Sequence, residues 1–256
     1  MPCYNGERTL REAVNSALQQ TFTDWELLVV DDGSTDGSPA ILAEMAQQDP
    51  RIRVLRNASP GGAAAARNRA LSEARARFIG FLDCDDAWMT YKLETQLKEM
   101  TAVNAALSSG AYEVMDRSSR TIGQFRPRSG VLTYRALLGY NRIGTLTAML
   151  DRSLCGDVRF NPELPQSEDY QLWLSILKRG LTGICLRETL ARYRVHGGTL
   201  SSNKLSVARA RWRVYREFEK HSLLASAFYS LSYTFTGFMK VISMRRQQFF
   251  PPVGRA

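Results

Sequence analysis

Four cysteines in 256 residues, Cys3, Cys84, Cys155 and Cys185, stand far apart and form no CxxC pair. That spacing argues against a zinc knuckle and against a disulfide framework, and it reads as reduced thiols in the cytosol. No run reaches the roughly 18 to 20 consecutive apolar residues of a membrane span, and the N-terminus lacks the basic-then-apolar layout of a signal peptide. Internal repeats and low-complexity tracts are absent too, which sets aside a repeat architecture. What is present, 44% hydrophobic and 23% charged residues, is the balance of a soluble globular protein. The formal net charge of +9 is unevenly spread: residues 204–256 hold ten basic residues against two acidic ones, leaving residues 1–203 nearly neutral.

The apolar run Glu26 to Val30 ends abruptly in Asp31-Asp32-Gly33-Ser34, as a buried parallel strand does at the edge of a sheet. Ile52 to Leu55 and Phe78 to Leu82 repeat the arrangement. Helical spacing precedes each run, over Arg8 to Gln20, Pro39 to Gln48 and Ala63 to Arg75, and this alternation indicates βαβ units. Met1 to Gly6 reads as the loop after a strand with no strand before it, so the first strand of the sheet is expected to be missing. Beyond residue 90 the spacing predicts helices over Tyr91 to Val103 and Asp169 to Lys178, the second capped by Ser167 and ended by Gly180. Strands are predicted over Gly144 to Leu150 and Leu190 to Val195, and two helices follow Asn203, broken around His221-Ser222.

Open parallel sheets bind ligands at the carboxyl ends of their strands. Here Asp31-Asp32 and Asp83-Cys84-Asp85-Asp86 occupy those ends. Like charges about 4 Å apart repel by roughly 4 kcal/mol at an effective dielectric of about 20, so a cation between the clusters is the natural answer. Oxygen-only ligands favour Mg²⁺ or Mn²⁺, usually shared with substrate phosphates, which implies a nucleotide diphosphate. Asp86 is also placed to cap the next helix.

Pro2-Cys3-Tyr4-Asn5, Val29 to Asp36, Ala66-Arg67-Asn68, Phe81 to Asp86 and Ser167-Glu168-Asp169 occur in the order and spacing of family 2 glycosyltransferases. The chain resembles the bacterial enzymes that build capsule, O-antigen or exopolysaccharide, over about residues 1–200. The resemblance implies an α/β GT-A (Rossmann-like) fold with a mixed, mostly parallel sheet flanked by helices. It implies a catalytic domain over 1–202, with nucleotide binding over about 1–100 and the acceptor part over about 101–202; the basic amphipathic helical tail expected over 203–256 lies outside the resemblance and is read from its own composition. Tyr4 and Asp32 then hold the nucleotide base, Arg67 contacts nucleotide or phosphate, Asp83 lies near the ribose, and Asp85 with His196 holds Mn²⁺ or Mg²⁺. Asp169 takes the acceptor proton as general base, beside Glu168. The donor is a nucleotide-diphosphate sugar, a UDP-sugar first of all, and the acceptor a glycan or lipid-linked glycan.

Other readings of the same residues stay open. Asp31 and Asp32 also suit turn capping, Arg67 a solvated helix face, and Glu168-Asp169 the charge of a helix N-terminus. The tail, rich in Phe, Tyr and Leu over 223–244, suits either contact with the inner face of the plasma membrane or packing against the domain or a second copy. A nucleic-acid binder using the tail is disfavoured, because the body is neutral and its expected cleft acidic. An inactive relative that lost its nucleotide pocket with the first strand is the remaining alternative.

Overall fold

The computed structural model describes residues 1–195 and 204–249. Its elements up to residue 102 follow the expected order of strands and helices, but the run at Phe78 to Leu82 is corrected: it does not join the parallel sheet, and its Phe78–Gly80 pair antiparallel with Met149–Asp151. Strand β1 (Pro2–Cys3), helix α1 (Leu10–Leu18), β2 (Leu27–Asp31), α2 (Ser38–Gln48), β3 (Ile52–Arg56), α3 (Gly62–Glu73), β4 (Phe78–Gly80), β5 (Ala87–Trp88) and α4 (Lys92–Ala102) come in turn. All five residues of β2 are buried, as an apolar run closed by an acidic pair requires. The strand expected to be missing is instead very short: Pro2 and Cys3 pair in parallel with Val30 and Asp31. Residues read as the loop after a strand are therefore strand themselves, because their backbone groups find β2.

The second half reads less regularly. It contains β6 (Leu107–Met115), β7 (Thr121–Phe125), β8 (Gly130–Leu132), α5 (Tyr134–Gly139), β9 (Met149–Asp151), α6 (Arg152–Cys155), α7 (Glu168–Lys178) and β10 (Gly183–Arg194). The strand expected over Gly144 to Leu150 is corrected: Thr145–Thr147 form a 3₁₀ turn, and only Met149–Asp151 pair as a strand. The tail is helical, with α8 (Lys204–Arg213), a π turn over Val214–Phe218, and α9 (Leu223–Phe249).

The fold is the expected mixed α/β architecture. Strands β1, β2 and β3 form an all-parallel sheet, while the order β4-β9-β6-β10-β5 is parallel only between β6 and β10. The seam between β2 and β4, where β1 is short, encloses a cavity of about 580 Å³ lined by Leu27, Leu28, Phe78, Ile79 and Leu97 among others. Helix α7 is the most deeply sunk helix, with Leu172, Trp173, Leu174, Ile176 and Leu177 buried, and Gly180 at φ +78 ends it in the left-handed conformation that glycine tolerates. Among the described residues no helix is long and apolar enough to cross a membrane.

Candidate active site

The carboxyl ends of β1 and β2 carry loops that are bonded to each other. Asn5 donates its N–H to Ser34 Oγ (3.0 Å) and accepts from the Thr35 N–H (2.9 Å), and the Gly6 N–H reaches Ser38 Oγ at 2.9 Å. Tyr4 sits on this wall as an exposed residue, 53% accessible, which leaves it open for stacking. Asp31 is buried and local: it accepts from the Ser34 N–H and pairs with Arg56.

Asp32 is a helix cap as well as a strand-end acid. Its Oδ1 accepts from Asn57 Nδ2 (2.6 Å) and the Gly61 N–H (3.0 Å), and its Oδ2 from the Gly61 (3.0 Å) and Gly62 (2.7 Å) N–H groups. The carboxylate thereby satisfies the Gly61 and Gly62 N–H groups where α3 begins and sits at the positive end of its dipole. Gly62, at φ +85, permits the turn that presents these N–H groups. With all its acceptor positions taken, Asp32 receives a base N–H only in exchange for one of these donors.

One turn and a half further along α3, Arg67 joins three segments. Its Nη2 bonds both oxygens of Asp83 (2.8 and 2.9 Å), and its Nη1 bonds Glu168 Oε1 at 3.1 Å. Burial opposes the guanidinium's charge, but the carboxylates of Asp83 and Glu168 outweigh it and raise its pKa. The solvated-face reading of Arg67 is thus overturned: the residue is 8% exposed. Asn68 beside it exchanges two bonds with the Phe160 backbone, fixing α3 against the segment that leads to α7.

At the head of α7, Glu168 is buried and its carboxyl is pushed up, first by burial and then by the charge of Asp169. Asp169 is half-buried. Its Oδ2 accepts from Thr145 Oγ1 at 2.6 Å and its Oδ1 from the Tyr170 N–H at 2.6 Å. The Ser167 hydroxyl makes no capping bond, so the expected serine cap is corrected, and Asp169 bonds a first-turn N–H instead.

The loop after β4 carries Asp83, Asp85 and Asp86. Asp86 is not the cap of α4; it accepts from the Arg194 N–H at 2.9 Å, while Arg194 Nε donates to the Asp85 carbonyl at 2.8 Å. Those bonds hold the loop against the end of β10. Asp86 is pushed well above the ordinary carboxyl range by burial and by the charges of Asp85 and Asp83. Asp83 is answered by Arg67 and Asp86 by the Arg194 N–H, and the half-buried carboxylate of Asp85 is an oxygen ligand of the class that Mn²⁺ or Mg²⁺ takes together with substrate oxygens. Among the described residues no three His, Cys, Asp or Glu side chains form a metal cage. His196 lies outside the described residues.

The structure thus brings Arg67, Asp83, Glu168 and Asp169 together and ties Asp32 to them through α3. Sequence reasoning missed Thr145, Asn57 and the long-range partners of Arg67. Asn68 stood in a quoted motif without a role, whereas Thr145, read as strand, offered no signal.

The family model "Glycosyl transferase family 2" matches residues 1–154. The putative teichuronic acid biosynthesis glycosyltransferase TuaG of Bacillus subtilis is 38% identical over 232 residues, covering 91% of this chain and 92% of that protein. The Escherichia coli UDP-Glc:alpha-D-GlcNAc-diphosphoundecaprenol beta-1,3-glucosyltransferase WfgD is 40% identical over 242 residues, covering 94% and 92%. Among solved structures, S. aureus TarS 1–349 in complex with UDP-GlcNAc superposes with a TM-score of 0.70 at 20% identity, covering 99% of this chain and 74% of that one. The Pyrobaculum calidifontis mannosyltransferase PcManGT, in complex with GDP-Man and Mn²⁺, gives 0.68 at 16% identity, covering 98% and 74%.

Proposed function

The chain belongs to glycosyl transferase family 2 and is a glycosyltransferase using nucleotide sugars, and from that premise we propose that it moves a sugar from a UDP-sugar to a hydroxyl of a lipid-linked glycan, with inversion. The observation that carries this reading is the Arg67 guanidinium, which bonds Asp83 at a strand end and Glu168 at the head of α7. That bond sets a half-buried carboxylate, Asp169, next to the strand-end acids where a diphosphate would lie.

In this reading the Tyr4 ring stacks on the base, and Asp32 accepts a base N–H as Asn57, the one side-chain donor on it, turns away. Asp83, held by Arg67, orients the ribose. Asp169, steadied by Thr145, takes the proton of the acceptor hydroxyl as its oxygen bonds the anomeric carbon. The bond from that carbon to the diphosphate oxygen breaks on the opposite face, and the electron pair leaves with UDP. Asp85 would hold a divalent cation, which would supply charge neutralisation for the departing diphosphate, so that the leaving group would need no proton. The acceptor class follows the diphosphoundecaprenol named for two Escherichia coli relatives. Helix α9 of the tail then faces the inner surface of the plasma membrane from the cytoplasm.

Asp169→Asn tests the assignment. The variant should keep the thermal stabilisation given by UDP with Mn²⁺ and lose diphosphate release. Wild-type turnover would remove Asp169 as base, and no stabilisation of the wild-type protein by UDP with Mn²⁺ would remove the nucleotide site.

A further inference from the structure

Helix α9 is packed inside out. The face it turns to the protein is polar and aromatic: Ser226 is fully buried, Tyr229 lies 5.7 Å from the Tyr215 ring, and Ser232 Oγ donates to the Gly139 carbonyl at 3.0 Å. The face it turns outward is apolar, with Leu224 86%, Phe228 66%, Leu231 72% and Phe235 66% exposed. At 3.6 residues per turn these four lie within roughly 60° of arc, opposite Ser226, Tyr229 and Tyr233. A helix that stabilised only its own domain would bury that stripe. Along the chain from residue 220 the charge has one sign: residues 220–256 contain five basic residues and no acidic one.

We propose that this outward stripe docks on an anionic lipid surface, Leu224, Phe228, Leu231 and Phe235 entering the headgroup boundary, with the net positive charge of the tail sequence favouring an anionic over a neutral surface. A second copy is the poorer occupant, because it would bring a second cationic tail against the first. The inference extends the lipid-linked acceptor of the reading above, but it rests on the helix itself. It also joins the docked helix to the site. The Arg211 guanidinium lies 3.4 Å from the centre of the Tyr170 ring and 4.2 Å from that of Tyr233, so one buried cation is clamped between α9 and the residue that follows Asp169. A helix lying on the bilayer therefore holds the head of α7, and with it Asp169, in a fixed relation to acceptors in that surface.

The test is sedimentation of the full chain with vesicles of phosphatidylcholine containing phosphatidylglycerol, and with phosphatidylcholine alone. The wild-type protein should bind the anionic vesicles, more weakly as salt rises, and Phe228→Ser/Leu231→Ser should weaken binding about tenfold or more. Because both residues are exposed, its melting temperature and its transfer to a water-soluble acceptor should stay at the wild-type level. Should that variant fold poorly, Arg245→Glu/Arg246→Glu gives the same readout through charge. A wild-type protein left in the supernatant, or variants that bind as well as it does, overturns the proposal. A stripe variant that turns a dimer into a monomer without changing vesicle binding overturns it in favour of a second copy. Loss of transfer with vesicle binding intact counts against the enzymatic reading alone.

Discussion

Arg67 and Glu168, 101 positions apart in the chain, meet at 3.1 Å in a buried pair that Asp83 shares from the other side. The pair is asymmetric in its energetics. Burial and the neighbouring charge of Asp169 already push the Glu168 carboxyl up, so the arginine is what makes three clustered acids tolerable. Arg67→Met should therefore destabilise the fold by about 3–5 kcal/mol, the cost of stranding buried charge, and Glu168→Gln by clearly less. The double variant should recover part of the loss. Urea unfolding of the four proteins checks this; equal costs for the two single changes would contradict the asymmetry.

Asp32 offers a second, local test. Asp32→Asn keeps the shape but replaces one acceptor oxygen by an NH₂ donor, so that one of the donors now held, the Gly62 N–H or Asn57 Nδ2, loses its acceptor, at a cost of about 1–3 kcal/mol. The loss should be felt first where α3 begins, as faster hydrogen exchange at residues 62–66. Exchange at those amides unchanged from the wild-type protein would show that the cap is not what holds the helix start.

The parts legible in the sequence were those whose own residues decide their conformation. Strand β2 is a pure apolar run between punctuating polar residues, and α7 has its apolar positions, first-turn acids and terminal glycine in order. Strand β6 is different: Ser108 and Ser109 are buried, and Gly110 is required because a Cβ there would stand 2.6 Å from Leu190 Cδ1. Its composition is set by a neighbour 80 positions away, which no local periodicity records. Strand β10 shifts register between Cys185 and Ala191, which hid its first half. At the site, the acids were legible as punctuation at strand ends. What each bonds was not, because Arg67 chooses its partners by packing across the whole chain.

Thr145 is the clearest consequence of that gap. Its hydroxyl fixes one oxygen of Asp169 at 2.6 Å, leaving the carboxylate aimed rather than free to rotate. If Asp169 is the base, Thr145→Val should lower kcat about tenfold or more while the donor KM changes little, since only the attack geometry suffers. Thr145→Ser, which keeps the hydroxyl, should restore most of the rate. A loss expressed in donor KM instead would place Thr145 in nucleotide binding.

Lys92 supplies a pH signature independent of the site. Its ammonium is fully buried, with Gln96 Oε1 at 2.6 Å and the Trp88 ring centre at 4.3 Å, and burial pushes its pKa down to about 7. In the unfolded chain the same lysine titrates near about 10.4, so between those values the unfolded state binds the extra proton. Stability from this group therefore rises as pH goes from about 7 toward 10.4 and is level below 7, where both states are charged. Lys92→Met leaves Gln96 Oε1 without its donor and lowers the overall melting temperature, but it should flatten that rise. Melting temperatures of both proteins across the alkaline range decide it: parallel curves would mean that Lys92 stays charged in the fold.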